Sequence, residues 1–206
     1  MSNGMIRWLK HIRQRYIYRK EHREWISNGK PPAPPHLVKQ RAIREYGKRF
    51  SLGTLVESGT YLGEMVEAQR KHFRRIISIE LSEMLCAKAQ EKFRPYPHIE
   101  ILQEDSGKLI KDIVGKLSAP ALFWLDGHFS GGNTAKADLE TPVLNELDAI
   151  LKSGHKHVIL IDDARLFNGE HDYPTIEALK EFVAKRNANY VLEVKDDIIR
   201  LTTLST

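Results

Sequence analysis

One cysteine in 206 residues, Cys86, excludes an internal disulfide framework and a cysteine-rich zinc site, and fits a reducing compartment. No apolar stretch reaches the roughly 18 residues of a membrane span. The opening residues, MSNGMIRWLKHIRQRY, are cationic but lack the apolar segment of a secretory leader, so the chain is expected in the cytoplasm. The GxGxxG dinucleotide fingerprint is missing, which argues against an oxidoreductase. RRM, KH and zinc-knuckle patterns are missing as well. Internal repeats and long low-complexity segments are absent too, and the length suits one sizeable core with room for an appendage.

Charge is present but unevenly placed. The net charge is +5, yet residues 1–50 hold 13 Lys and Arg against three Glu, a local excess of +10 that leaves −5 for residues 51–206. The basic character therefore belongs to the N-terminal quarter and says little about the rest. In that quarter Ile6, Leu9, Ile12 and Tyr16 recur at helical spacing, predicting a basic amphipathic helix over about residues 5–27. Asn28, Gly29 and the PPAPP segment over 31–35 end it and form a stiff spacer before a second helix over about 37–50. The expected division is a basic helical extension over 1–50 and a main domain over 51–206.

Five apolar runs in the main domain each stop on a carboxylate: GTLVE (53–57), IISIE (76–80), IEILQED (99–105), ALFWLD (121–126) and VILIDD (158–163). Between them lie helical patterns over 62–73, 83–93, 107–116 and 140–152, with another over 174–187. Such alternation predicts an α/β fold, a doubly wound and mostly parallel sheet covered on both faces. The runs 190–194 and 198–203 are separated by only three residues, which permits a hairpin and no helical crossover, so the seventh strand should be antiparallel. Open α/β sheets bind ligands at the carboxyl edge of their strands. A row of acids there suits a cationic ligand or a metal ion and repels a bare polyphosphate.

Gly59 and Gly63 follow the first strand within Glu57-Ser-Gly-Thr-Tyr-Leu-Gly63. Gly59 allows a tight turn and close approach to a ligand, and Gly63 can open the next helix; alone, the pair also reads as a simple strand-to-helix turn. Acids at Glu57 and Glu80 suggest a nucleoside whose ribose hydroxyls meet Glu80.

With these parts in order, residues 50–206 resemble the class I S-adenosylmethionine-dependent methyltransferases, most closely the metal-dependent O-methyltransferases of the catechol and macrolide-sugar type. The resemblance implies a Rossmann-like, seven-stranded sheet with a C-terminal antiparallel hairpin and S-adenosyl-L-methionine as cofactor. It would place Glu57, Gly59, Thr60, Tyr61 and Gly63 around the methionine portion, Glu80 on the ribose, and Asp105 with Ser106 at the adenine edge. Asp126 would border the cofactor as well. Asp126 after strand four, with Asp162 and Asp163 after strand five, match the family's ligands for a divalent cation, Mg²⁺ by preference. Independently, three converging carboxylates repel one another unless protonated, solvated or neutralised by a cation. The bland reading of Asp162 and Asp163 is a helix cap and an exposed loop acid.

Methyl transfer to an oxygen requires alignment and removal of a proton. His128, two residues past Asp126, is the side chain suited to take that proton near neutral pH, with Asp126 as its catalytic neighbour. The chain departs here from the catechol enzymes, which use a lysine after the strand-four acid. Ser130–Thr134 (SGGNT) reads either as a substrate-contacting loop or as a solvent loop. His155, His157, His171 and Arg165 carry no assignment.

The expected function is metal-assisted O-methylation of a small-molecule or sugar-type acceptor. The N-terminal region would act as a lid or mediate a homodimer, or would simply pack on the domain. Two alternatives remain: an RNA methyltransferase gripping nucleic acid through residues 1–50, or a non-catalytic module binding an anionic membrane through the same surface.

Overall fold

Strands β4 (Leu122–Leu125) and β5 (Val158–Ile161) are buried along their whole length. Parallel strands covered on both faces need unbroken apolar runs, and LFWL and VILI supply them. The computed structural model describes residues 3–127 and 141–203. Its seven-stranded sheet has the order β3-β2-β1-β4-β5-β7-β6. β1 (Thr54–Ser58), β2 (Arg75–Glu80) and β3 (Ile99–Gln103) run parallel with β4 and β5, while β7 (Ile198–Thr203) pairs antiparallel with both β5 and β6 (Tyr190–Lys195). The expected parallel sheet and terminal hairpin are both present. Asp196 and Asp197 turn the hairpin with φ of 53° and 59°, the left-handed pair a two-residue turn requires.

Successive strand residues point to opposite faces, so two cores form. Val56, Ile77, Phe123 and Ile159 face α5 (Ser106–Gly115), α6 (Val143–Leu151) and α7 (Ile176–Arg186). Leu55, Ile76, Trp124 and Leu160 face α2 (His36–Arg49), α3 (Glu64–Gln69) and α4 (Glu83–Phe93). Ala42, Ile43 and Tyr46 anchor α2 in that second core. The helix assigned from sequence to the extension is thus one of the three that cover this face of the sheet.

α1 (Asn3–Ser27) precedes it. It is held at its C-terminal end by buried Trp25, whose Nε1 donates to the Pro31 carbonyl at 2.8 Å. Further along, the Tyr18 hydroxyl donates to Glu64 Oε2 at 2.8 Å. Among the described residues no helix is long and apolar enough to cross a membrane.

Two boundaries differ from expectation. α3 stops at Gln69, short of the expected 73, and α6 begins at Val143, with Pro142 as its N-cap, later than the expected 140. A short 3₁₀ turn over Ala164–Leu166, not expected from the sequence, follows β5.

Candidate active site

The acids at the strand ends fall into two groups. The first surrounds the loop after β1. Gly59 has φ of 86°, and a Cβ there would stand 2.5 Å from the Asp126 carbonyl oxygen, so the loop passes too close to the β4 end for any side chain. The backbone N–H groups of Gly59 and Thr60 donate to the Ile79 carbonyl at 2.9 and 3.1 Å, tying this loop to β2. Gly63, with φ of 67°, precedes α3, and its carbonyl accepts from Lys92 Nζ at 3.0 Å. Tyr61 is half exposed at the mouth of the loop.

Two carboxylates buttress this loop. Glu57 is fully buried and accepts a hydrogen bond from Ser78 Oγ, which lies 2.6 Å from Thr60 Oγ1. Burial pushes the Glu57 carboxyl up to about 8; the Ser78 hydroxyl pulls the other way, and Glu80 adds to the rise. Glu80 is 7% exposed and accepts from the Tyr61 N–H at 2.7 Å and the Ser82 N–H at 2.9 Å. It holds the glycine loop and the start of α4 in one place.

Further along the edge, Asp105 caps α5, its Oδ1 accepting from Gly107 N–H at 2.8 Å, and Ser106 is buried behind it. Asp105 therefore does the work of a helix cap whatever else it meets.

The second group lies across β4 and β5. The N–H of Asp126 donates to the Ser58 carbonyl at 3.1 Å, and the N–H of Asp162 to the Leu125 carbonyl at 3.0 Å, so both acids extend the sheet ladder by one step. Asp163 follows in the left-handed region, φ 55°, with its N–H bonded to Asp162 Oδ1 at 2.9 Å. Each of the three acids brings an oxygen within 4.8 Å of the others, and they are the only such group among the described residues. Asp162 and Asp163 are 4% and 6% exposed, which rules out the reading of Asp163 as an exposed loop acid. Burial raises Asp126 well above the carboxylate range, with Asp162 and Asp163 adding to the rise and Lys39 opposing it. Burial raises Asp162 too. Hard oxygen donors at this spacing fit a divalent cation of the Mg²⁺ or Ca²⁺ kind.

Sequence reasoning missed two side chains here. Lys39 reaches from α2 to Asp162 Oδ2, and its Nζ lies 3.5 Å from Asp163 Oδ1. Burial works against this ammonium, but the three aspartates outweigh it and raise Lys39 above its usual range. Helical spacing could have found it, since Lys39 precedes Ala42, Ile43 and Tyr46 by three, four and seven positions and so shares their buried face. Glu146 is buried on α6 and lines a small cleft with Asp126, Gly127, Asp162 and Tyr173. Burial pushes it up to about 7, while the nearby Ser106 and Ser58 hydroxyls pull it down. It too sits in an apolar pattern, with Val143, Leu147 and Ile150.

Arg165 donates to Asp163 Oδ1 at 2.7 Å and also pairs with Asp197 in the β6–β7 turn. His157 is a core residue, its Nδ1 accepting from the Ala121 N–H at 3.0 Å and its ring 2.8 Å from Ser153 Oγ. His128 and the Ser130–Thr134 loop lie outside the described residues.

No protein-family model matches the chain, and no curated protein matches it. Solved structures do. The O-methyltransferase from Bacillus cereus in complex with S-adenosylhomocysteine superposes with a TM-score of 0.60 at 12% identity, over 91% of this chain and 90% of that one. The O-methyltransferase TomG from Streptomyces achromogenes, in complex with S-adenosylmethionine, gives 0.59 at 13% identity, over 92% and 89%. The Podospora anserina methyltransferase PaMTH1, bound to S-adenosylhomocysteine, gives 0.57 at 18% identity, over 82% and 79%. The chain therefore has the class I S-adenosylmethionine-dependent methyltransferase fold. That fold hosts many acceptors, so the chemistry has to be argued from the site.

Proposed function

We propose that the chain is an S-adenosylmethionine-dependent methyltransferase that methylates a hydroxyl of a small-molecule or sugar-type acceptor with the help of a divalent cation. The observation that carries this reading is the convergence of Asp126, Asp162 and Asp163 beside a glycine loop braced by Glu57 and Glu80. The loop residues Gly59, Thr60, Tyr61 and Gly63 would take the methionine portion of the cofactor. A buried Glu57 is suited to a cationic ammonium, because a positive neighbour offsets the burial that pushes its pKa up. Glu80 keeps one face toward the loop backbone, and its carboxylate can also accept from ribose hydroxyls. Asp105 and Ser106 would border the adenine.

Transfer from a sulfonium to oxygen is an in-line displacement in which the acceptor loses a proton. The triad orients the acceptor hydroxyl toward the methyl position, and His128, two residues beyond Asp126, is the proposed proton acceptor. When bound, a divalent cation supplies charge that lowers the pKa of an acceptor hydroxyl. The basic N-terminal region favours anionic acceptors such as a nucleotide-linked sugar.

Calorimetry with S-adenosylhomocysteine tests the cofactor half, and a folded sample that shows no heat of binding sinks it. The metal half is tested by methyl transfer to a panel of hydroxylated acceptors with and without EDTA. Activity that survives both EDTA and Asp163→Ala overturns it.

A further inference from the structure

The position suited to a cation already has one. Lys39 Nζ contacts Asp162 Oδ2, lies 3.5 Å from Asp163 Oδ1, and is attracted by Asp126. The ammonium reaches the triad from a helix 123 residues away in sequence, and its side chain is only 18% exposed. A divalent ion bound to carboxylate oxygens sits about 2.0–2.6 Å from each. That places it in the space the ammonium fills, and two cations at such separation repel strongly in a buried setting.

The backbone of α2 is held where it is. Ile43 and Tyr46 are anchored in the core, and the Gln40 carbonyl accepts from buried Gln69 Nε2 at 3.0 Å. The lysine stem, by contrast, has four rotatable carbons and can swing without the helix moving. Arg165 lies 2.7 Å from the same Asp163 Oδ1 that Lys39 approaches, so part of the triad's charge is compensated by a second cation that does not depend on Lys39.

We infer that Lys39 Nζ and a divalent cation are alternative occupants of the Asp126–Asp162–Asp163 triad, so that cation binding expels the Lys39 side chain and Lys39 sets how tightly the cation is held. This rests on the metal half of the proposed function. It extends that reading by making the N-terminal helix α2 a participant in the site: the tethered ammonium keeps the carboxylates neutralised until a free ion replaces it.

Binding of Mn²⁺ to the full chain, followed by loss of the free-ion electron paramagnetic resonance signal, reads the competition directly. Lys39→Met should bind Mn²⁺ about tenfold or more tightly than the wild type. Lys39→Arg, which keeps the charge, should bind no more tightly than the wild type, and Asp163→Asn in the Lys39→Met background should weaken binding again. A second measurement needs no variant: Mg²⁺ should raise the rate at which Lys39 is labelled by an amine-reactive reagent, read by mass spectrometry, with Lys20 and Lys152 as exposed controls. Equal Mn²⁺ affinity in wild type and Lys39→Met, or Lys39 labelling that Mg²⁺ leaves unchanged while Mn²⁺ binds, overturns this inference alone. If neither protein binds Mn²⁺, the metal half of the proposed function fails and takes the inference with it.

Discussion

The two acid groups at this sheet edge are stabilised in different ways. Glu57 and Glu80 are satisfied by near neighbours: a serine on the adjacent strand, the N–H of Tyr61, and the N–H of Ser82 two residues on. Asp162 and Asp163 are paired with charges from elsewhere, Lys39 from α2 and Arg165 bridging to the β6–β7 turn, and the Lys39 charge also acts on Asp126. Hydrogen bonds to groups fixed in the loop and the adjoining strand hold a shape. Charges imported from distant elements can be exchanged, and a site that admits an exogenous ion needs that freedom. The first region is accordingly braced by hydrogen bonds, and the second by charges that a bound cation would replace under the proposed reading.

Separating the two regions experimentally is the sharpest way to test that contrast. The largest effect is expected from Asp162→Ala, which should lower methyl transfer by about 10²–10³-fold in the presence of Mg²⁺ while S-adenosylhomocysteine binding changes little. A parallel loss of cofactor affinity, measured calorimetrically, would merge the two regions into one. Next comes Gly59→Val, which forces a branched side chain against the Asp126 carbonyl at positive φ. It should cost about 1–3 kcal/mol in chemical denaturation and disturb both regions, since it lies at their seam. Glu80→Ala removes the acceptor for two backbone donors and for the proposed ribose hydroxyls, and should weaken S-adenosylhomocysteine binding by roughly tenfold or more. Mn²⁺ binding at the triad should be unaffected, and a change there breaks the comparison.

The last test is a pH dependence. Glu57 has a folded pKa of about 8, above the ordinary 4.5, so the unfolded chain releases this proton first. Its contribution to stability therefore falls as pH rises from 4.5 toward 8 and levels off beyond, with a slope of at most about 1.4 kcal/mol per pH unit. Glu57→Gln should flatten that part of the profile in denaturation experiments between pH 5 and 9. An unchanged slope would mean that Glu57 is not the group responsible.

Much of this edge was legible in the chain. LFWLD and VILIDD read as buried parallel strands ending on acids, because their apolar runs leave no solvated face, and the three-residue gap before Ile198 permitted a hairpin and no helical crossover. The positive φ of Gly59 and Gly63 follows from their residue type and position. Glu146 and Lys39 were overlooked although each lies on the apolar face of its own helix. Charged residues in such patterns are usually discounted as surface, although here the helical spacing placed both on the buried face.

Local sequence thus determined the strands, their order of alternation, the glycine loop and the presence of an acid at each strand end, because these depend on periodicity and backbone sterics over a few residues. Tertiary structure alone decided which acids meet. The sheet order set β1 beside β4 and β5 beyond it, so that Asp126 stands between Glu57 and the Asp162–Asp163 pair, and the fold brought Lys39 across 123 residues to Asp162. The reason is electrostatic: a buried carboxylate must find a partner wherever the fold can supply one, and sequence distance does not enter that requirement.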